Sequence, residues 1–446
     1  MNYLPHSESD WAAMLAALGI DSVGELFRDI PAQLRETAMP DLPGPMAEAE
    51  LLRHLQDLAG RNSSLDELVC FAGGGVYDRF IPSIVLDVIS RPEFKTGYTP
   101  YQPEASQGIL QALFEYQSMV CELTGMPVAN ASLYDGASAL GEAILVAAAE
   151  RKRPRALVSR ALSPNARRVA RTYCDAMGIA IAEVPYVAET GQTDMDALRA
   201  AMGDDLCGVA LQQPNYFGVL ENMRLAAEAA HAAGALLVAS VEPISLGLLE
   251  APGRYGADIV VGEGQPLGLP PGYGGPLLGI FACRHEMMRR VPGRIVGETV
   301  DADGRRAYCL TLQAREQHVR RERATSNICT SESLCALAAA VYLAALGPEG
   351  LCEVAAQGVQ QAHFLLERLS ERGTAPRRFA GAFFNEFVVD VGQPADGVVC
   401  RLAEQGYLVG PALGREYPEL EDCLLLVATE QRTRADIEGL VAAFET

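Results

Sequence analysis

The sequence predicts an α/β protein built on a mostly parallel sheet, and three observations carry that prediction. Short β-rich runs recur at 129–133, 155–159, 179–184, 207–212, 235–241, 257–262 and 277–283. Helical stretches lie between several of them, at 138–150, 164–177, 193–202 and 221–233. Strands alternating with helices pair in parallel, and their crossovers cover both faces of the sheet. At 446 residues the chain exceeds one simple core, so a large and a smaller domain are expected.

Residues 7 to about 66 read as helices. Ser9-Asp10 caps an apolar-periodic run through Leu15 and Leu18, Ser22 starts another at Val23-Leu26-Phe27, and 46–59 is a third amphipathic stretch. Pro40, Pro43 and Pro45 separate the last two. This is a helical arm, 1–69, with too little core to stand alone. Phe71-Ala72-Gly73-Gly74-Gly75 then reads as a glycine turn, followed by a helix at 82–90. The segment 95–108 is extended and polar-aromatic, and opens a long helix at 107–124. The strand–helix alternation follows and fills a large domain, 70–330. A charged stretch, 313–323, bridges to a helix at 331–346. A helix at 351–371, strands at 383–390 and 423–428, and a last helix at 433–445 make a small α+β domain, 331–446.

The formal net charge of −21, from 36 basic and 57 acidic residues, argues against nucleic acid and anionic membrane as partners. No run of 18 apolar residues suggests a membrane span. Met1 to Glu8 lacks the basic start and apolar centre of a signal peptide. Eleven cysteines, with no CxxC pair, read as reduced and buried in a cytoplasmic protein, among them Cys70, Cys283, Cys309 and Cys423.

Metal and nucleophile patterns are missing from the sequence. The six histidines have no ligand spacing, so no metal is expected. No HExxH, GxSxG or Walker loop occurs, and no GxGxxG opens a helix after a strand. Four segments could still carry chemistry. Gly136, Ala137 and Ser138 open a helix after a strand, a place for an anion, although Asp135 would repel a phosphate. The plainer reading is a capped helix start, with Asp135 or Ser138 as the cap. Ala257 to Pro266, followed by Leu269 to Pro276, is a strand and polar turn beneath a Gly/Pro loop. Many α/β enzymes place a reactive residue there, in one large class a lysine that holds pyridoxal phosphate. This turn has no lysine, and the two lysines of the chain, Lys95 and Lys152, lie before the sheet and in a solvated basic cluster. Tyr98-Thr99-Pro100-Tyr101-Gln102-Pro103-Glu104 is a proline-stiffened aromatic ribbon that suits binding or an interface. Arg320 to Thr330 is a basic run followed by a polar turn. Thr325, Ser326 and Asn327 could offer hydroxyls and N–H groups to a phosphate, or simply end a salt-bridged helix.

Seven blocks give these segments a common origin: Phe71 to Val76, Tyr98 to Gly108, Ala129 to Ala137, Gln213-Pro214-Asn215-Tyr216, Gly262 to Gly268, Leu310 to Gln317 and Ala324 to Thr330. In order, over nearly the whole chain, they resemble the two-chain P-proteins, the glycine decarboxylases of the glycine cleavage system, in their α, N-terminal-half subunit. The resemblance implies the three-layer, aspartate-aminotransferase-like fold of fold-type-I pyridoxal enzymes. It implies an α₂β₂ assembly in which a lysine-bearing subunit 2 holds the pyridoxal phosphate covalently. In that family glycine loses CO₂ and its aminomethyl group passes to the oxidised lipoyl arm of H-protein, so this chain alone should be inactive.

Counted from either side, the cofactor lysine of the resemblance falls on Gln265 or Pro266. The acid that faces the pyridine nitrogen falls on Ser240, with Glu242 two residues away. Gly136, Ala137 and Ser138 become a vestigial phosphate loop. Family geometry puts Tyr98, Tyr101, Gln102 and Glu104 at the partner's substrate mouth and Thr325, Ser326 and Asn327 near its phosphate. The alternative is a structural or regulatory scaffold that adds no active-site residue to a homologous enzyme. A third reading, a lone pyridoxal enzyme using Lys95, puts the lysine in the wrong topological place.

Overall fold

A computed structural model describes residues 5–37, 41–95 and 97–445. The chain divides into two units, Met1–Ser63 and Ser64–Thr446. The first carries helices α1 (Glu8–Leu18), α2 (Ala32–Thr37) and α3 (Glu48–Ala59). No residue of α1 or α3 is buried, and Trp11, Leu18, Leu51, Leu52 and Leu55 all face out. Ser7, not Ser9-Asp10, caps α1: its hydroxyl accepts from the Asp10 N–H while the Asp10 carboxylate accepts from the Ser7 N–H. The second expected helix shrinks to a 3₁₀ turn at Val23–Phe27.

In the second unit β1 (Val69–Ala72), α4 (Ser83–Ser90) and α5 (Gln107–Thr124) lead into the sheet. There follow β2 (Val128–Ala129), α6 (Gly136–Arg151), β3 (Arg155–Ser159), α7 (Pro164–Ala176), β4 (Ala180–Val184), α8 (Met195–Ala200) and β5 (Leu206–Gln213). Then come α9 (Met223–Ala232), β6 (Leu236–Val241), α10 (Pro252–Tyr255), β7 (Ile259–Glu263) and β8 (Gly279–Cys283). These strands form one seven-stranded sheet in the order β2-β8-β7-β6-β5-β3-β4. β3 to β7 pair in parallel and only β8 runs against its neighbours. The central strands are apolar on both faces because both faces are covered, by α5, α9 and the start of the long C-terminal helix on one side and by α6 and α7 on the other. α6 is rich in small residues, so it lies close to the strand ends. A Cβ on Gly136 would sit 2.8 Å from the Glu263 nitrogen, so no larger residue fits at that helix start.

Past the sheet lie β9 (Ile295–Val300), β10 (Arg306–Thr311), α11 (Gln317–Arg320), α12 (Ser333–Arg372), β11 (Glu386–Asp390), α13 (Ala395–Glu404), β12 (Tyr407–Gly410), β13 (Cys423–Val427) and α14 (Arg434–Phe444). α12 is broken at Gly347, with Pro348 next to it, which recovers the two helices expected at 331–346 and 351–371. By length and composition α12 is also apolar enough to cross a membrane, contrary to the sequence expectation. Its residues Cys335 to Ala340 are buried in the core of the second unit.

Several expectations are corrected. The run 129–133 forms a strand only at Val128–Ala129, because Ser132 takes a left-handed φ of 101° and turns the chain. Phe71 and Ala72 are not a turn but the end of β1, which pairs in parallel with β12. β9 and β10 form an antiparallel hairpin, and α13 and β12 are further elements, where no element was expected. Cys70, Cys283 and Cys423 are buried as expected, Cys309 is half-buried, and Cys329, Cys352 and Cys400 are exposed.

Candidate functional site

The turn after β7 is built around a buried glutamine. Gln265 is 0% exposed. Its Oε1 accepts from the Tyr77 N–H at 2.9 Å, and its Nε2 donates to the Tyr77 and Leu269 carbonyls at 3.0 and 2.6 Å. Both amide donors are used, and the side chain ties its own turn to the Tyr77 segment. Pro266 beside it is buried as well. Gln265→Leu keeps the volume but leaves the Tyr77 N–H and C=O buried and unpaired. It is expected to lower stability by about 2–3 kcal/mol, measured by urea denaturation.

Glu263, at the end of β7, organises the same turn. Its carboxylate accepts three backbone N–H bonds, each 2.9 Å, from Gly136, Gln265 and Leu278. Burial pushes its pKa up to about 7 against the pull of those donors. Asp135 caps α6 by accepting from the Ser138 N–H at 2.7 Å. Ser138 is therefore inside the helix, and the capping alternative resolves to Asp135. The N-terminus of α6 is a natural anion site, but this chain supplies the anions itself.

A cavity of about 230 Å³ lies against this turn, lined by Tyr77, Asp135, Gln212, Ser240, Glu242 and Glu263 among others. Ser240, on β6, offers a hydroxyl where the resemblance requires an acid. Glu242 is committed elsewhere: it accepts from the Ser245 N–H at 2.6 Å and lies 3.5 Å from Arg79, which also pairs with Glu430 at 2.8 Å. Tyr77 donates its phenol to Glu386 at 2.8 Å, and the Gly74 N–H bonds the same carboxylate. Burial pushes the Glu386 pKa up to about 7. Three carboxylates line the cavity, no lysine reaches it, and the Gly136 and Ser138 N–H groups are taken. Pyridoxal phosphate does not fit these residues.

The aromatic ribbon lies elsewhere and is open. Tyr98 is 85% exposed and Tyr101 47%, and Gln102 and Glu104 also face out. Arg294 anchors the ribbon. Its side chain is 3% exposed. Nη2 donates to the Tyr101 hydroxyl at 3.2 Å and to the Cys329 carbonyl at 2.5 Å, and the guanidinium lies 5.4 Å from the Tyr101 ring centre. His318 packs edge-on against Tyr101 at 5.5 Å. The structure thus joins the ribbon to the segment 318–329. It does not gather every expected residue there. Ser326 spends its hydroxyl on Glu142, at 2.9 Å, deep against α6. Thr325 is exposed beside the last turns of α6, near Ala148 and Ala149, and Asn327 is exposed.

The model of the family described as the glycine cleavage system P-protein matches residues 1–444. The chain belongs to that family. It is 53% identical over 443 residues to the probable glycine dehydrogenase (decarboxylating) subunit 1 of Moorella thermoacetica, covering 99% of each chain. It is 49% identical to the protein of the same name in Geobacillus kaustophilus, covering 98% of this chain and 97% of that one. A crystal structure of a glycine decarboxylase P-protein in inhibitor-bound form superposes with a TM-score of 0.92 at 44% identity, covering 100% of this chain and 99% of that one. A sphingosine-1-phosphate lyase from Burkholderia pseudomallei, at 16% identity and TM-score 0.67 over 93% and 94% of the two chains, shares the fold alone. The P-protein chain therefore has the fold of the fold-type-I pyridoxal enzymes.

Sequence reasoning missed Glu263, Arg294, Tyr77 and Glu386. Glu263 stood in the stretch singled out for its missing lysine, and an acid closing a buried strand was the available signal. Arg294 follows Val291-Pro292-Gly293 with nothing to mark it.

Proposed function

We propose that this chain is the subunit of a glycine decarboxylase that carries no cofactor and completes the active site of a lysine-bearing second subunit. The observation that carries the reading is the turn after β7. Gln265 and Pro266, between which the lysine position falls, are both buried, with the Gln265 amide bonded to Tyr77 and Leu269, and Glu263 accepts from the N–H at the start of α6. Relatives of full length named subunit 1 support a second chain. In this reading the partner binds pyridoxal phosphate, glycine is the substrate, and the lipoyl arm of H-protein accepts the aminomethyl group. The assembly is α₂β₂ and cytoplasmic. Its α chain is divided into the arm 1–69, the large domain 70–330 and the small domain 331–446.

This chain contributes wall and orientation. Tyr98, Tyr101, Gln102 and Glu104 present hydroxyl, amide and carboxylate groups on a ribbon whose prolines and Arg294 contact hold its backbone. A held donor beside a reacting group lowers the entropic cost of alignment, and an aromatic wall excludes water. Thr325 and Asn327 stand on the partner-facing turn in the same reading, while Ser326 is turned inward to Glu142. The test is co-expression with a lysine-bearing homologue and measurement of bicarbonate exchange into the glycine carboxyl with H-protein present. Tyr101→Phe and Gln102→Ala are each expected to slow exchange about tenfold in the assembled enzyme. Unchanged rates in both would leave the chain a scaffold, and full exchange by the partner without this chain would overturn the reading.

A further inference from the structure

A second cleft, of about 520 Å³, opens between the helical turn after β8 and the segment that follows β10. Arg289, Arg290, Arg315 and Arg320 line it, with Glu150, Glu286 and Thr325 among the other walls. Four guanidiniums in one cleft are unexpected in a chain with a net charge of −21.

Arg315 is the informative member. Its Nη1 donates to the Val291 carbonyl. Its Nε and Nη2 are sealed from solvent and have no acceptor. The adjacent acid does not reach them: Glu316 Oε2 lies 3.7 Å from His318, and its Oε1 is also without a partner. Burial pulls the Arg315 pKa down, as expected of a cation short of acceptors. Arg290 is paired with Glu150 at 2.6 Å, while Arg289 and Arg320 are exposed and make no ion pair among the described residues. The segment bearing Arg315 and Arg320 is bracketed by left-handed non-glycine residues, Leu312 at φ 53° and Arg321 at φ 52°. Conformations of this kind persist where surrounding structure enforces them, and they cluster at ligand sites.

We propose that this cleft is an anion-binding site, with the half-buried Arg315 as its inner donor and Arg320 and Arg289 as its rim, taking a compact phosphate- or carboxylate-class anion. A guanidinium presents paired N–H donors in a fixed fork, which matches a tetrahedral or planar oxyanion. The two unused donors of Arg315 have no acceptor within the chain, and an anion reaches them through a local shift of the wall that seals them. The cleft holds four cations against two carboxylates, so a cation is the wrong sign. The anion could be free in solution or carried by a second subunit. The free-anion arm does not depend on the function proposed above.

Isothermal titration of the full chain with inorganic phosphate, at constant ionic strength, tests it. One saturable site is expected, weakened about tenfold or more by Arg315→Gln and several-fold by the exposed Arg320→Gln. Circular dichroism of both variants checks the fold, and Arg320→Gln keeps the test valid if the Arg315 variant unfolds. Repeating the titration on the chain assembled with its lysine-bearing partner separates the sources. Retained phosphate binding identifies a free anion. Phosphate binding lost on assembly, or assembly weakened by either substitution, identifies an anion of the partner. The proposal is overturned if neither phosphate binding nor assembly depends on these arginines.

Discussion

Arg294→Met is expected to slow exchange by at least about tenfold in the assembled enzyme and to cost the chain about 2–4 kcal/mol of stability. The guanidinium is buried and ties two segments together, the ribbon through Tyr101 and the turn through the Cys329 carbonyl. Methionine fills the space but donates nothing. The Cys329 carbonyl loses its bond, and Tyr101 loses both a donor to its hydroxyl and a cation over its ring. Urea denaturation reads the stability term, and exchange per assembled complex reads the other. A residue that only holds the fold would lower the first and leave the second unchanged. Arg294→Lys retains charge without the fork, so it should recover part of the stability and little of the rate.

Glu142→Gln is expected to stabilise the chain at alkaline pH and to change little in acid. Glu142 lies inside α6, 2% exposed. Ser326 donates to its Oε1, and its Oε2 has no partner. Burial raises its pKa from 4.5 to about 7. A carboxyl that holds its proton more tightly when folded stabilises most below its unfolded pKa. That stability is lost as pH rises through about 7. Glutamine keeps the shape and cannot ionise. The gain above pH 8 should approach about 3 kcal/mol, and near pH 5 it should be small. Melting temperatures of the two proteins from pH 5 to about 9 check it: parallel curves would show that Glu142 does not titrate in this range. Glu263 and Glu386 share the direction, so a residual slope of the same sign remains in the variant.

The parallel sheet could be read from the sequence because its signal is local. Runs such as 207–212 and 235–241 are mostly apolar, with Gln212 and Ser240 as the exceptions, and the ten-residue helix Met223–Ala232 lies between them. The hairpin of β9 and β10 escaped notice although Asp303-Gly304 stood between its strands, because Ile295–Val300 and Arg306–Thr311 mix charged and apolar residues without clean alternation. β1 was hidden for another reason. Its four residues become a strand only beside β12, far along the chain, and nothing local announces that partner. The site divides in the same way. The absent lysine was legible in the sequence, since neither Gln265 nor Pro266 can form an imine. That Gln265 is stitched to Tyr77 and Leu269, and that Glu263 supplies the anion for α6, depend on segments brought together by folding. The ribbon was recognisable from its prolines and tyrosines, but its anchor was not, since a single arginine carries no periodicity.

The pairing of β1 with β12 constrains how the molecule can be made. Synthesis runs from the N-terminus, so residues 69–72 leave the ribosome long before residues 407–410 exist. The large sheet has all of its strands by Cys283 and can close while translation continues. Meanwhile Val69-Cys70-Phe71-Ala72 remains an apolar edge without a neighbour, a template for pairing with another nascent chain. The Gly73-Gly74-Gly75 run beside it lacks its acceptors as well, because the Gly73 and Gly74 N–H groups donate to the Gly410 carbonyl and the Glu386 carboxylate. The Tyr77 hydroxyl, beside the lysine-free pocket, likewise has its acceptor only once Glu386 has been made.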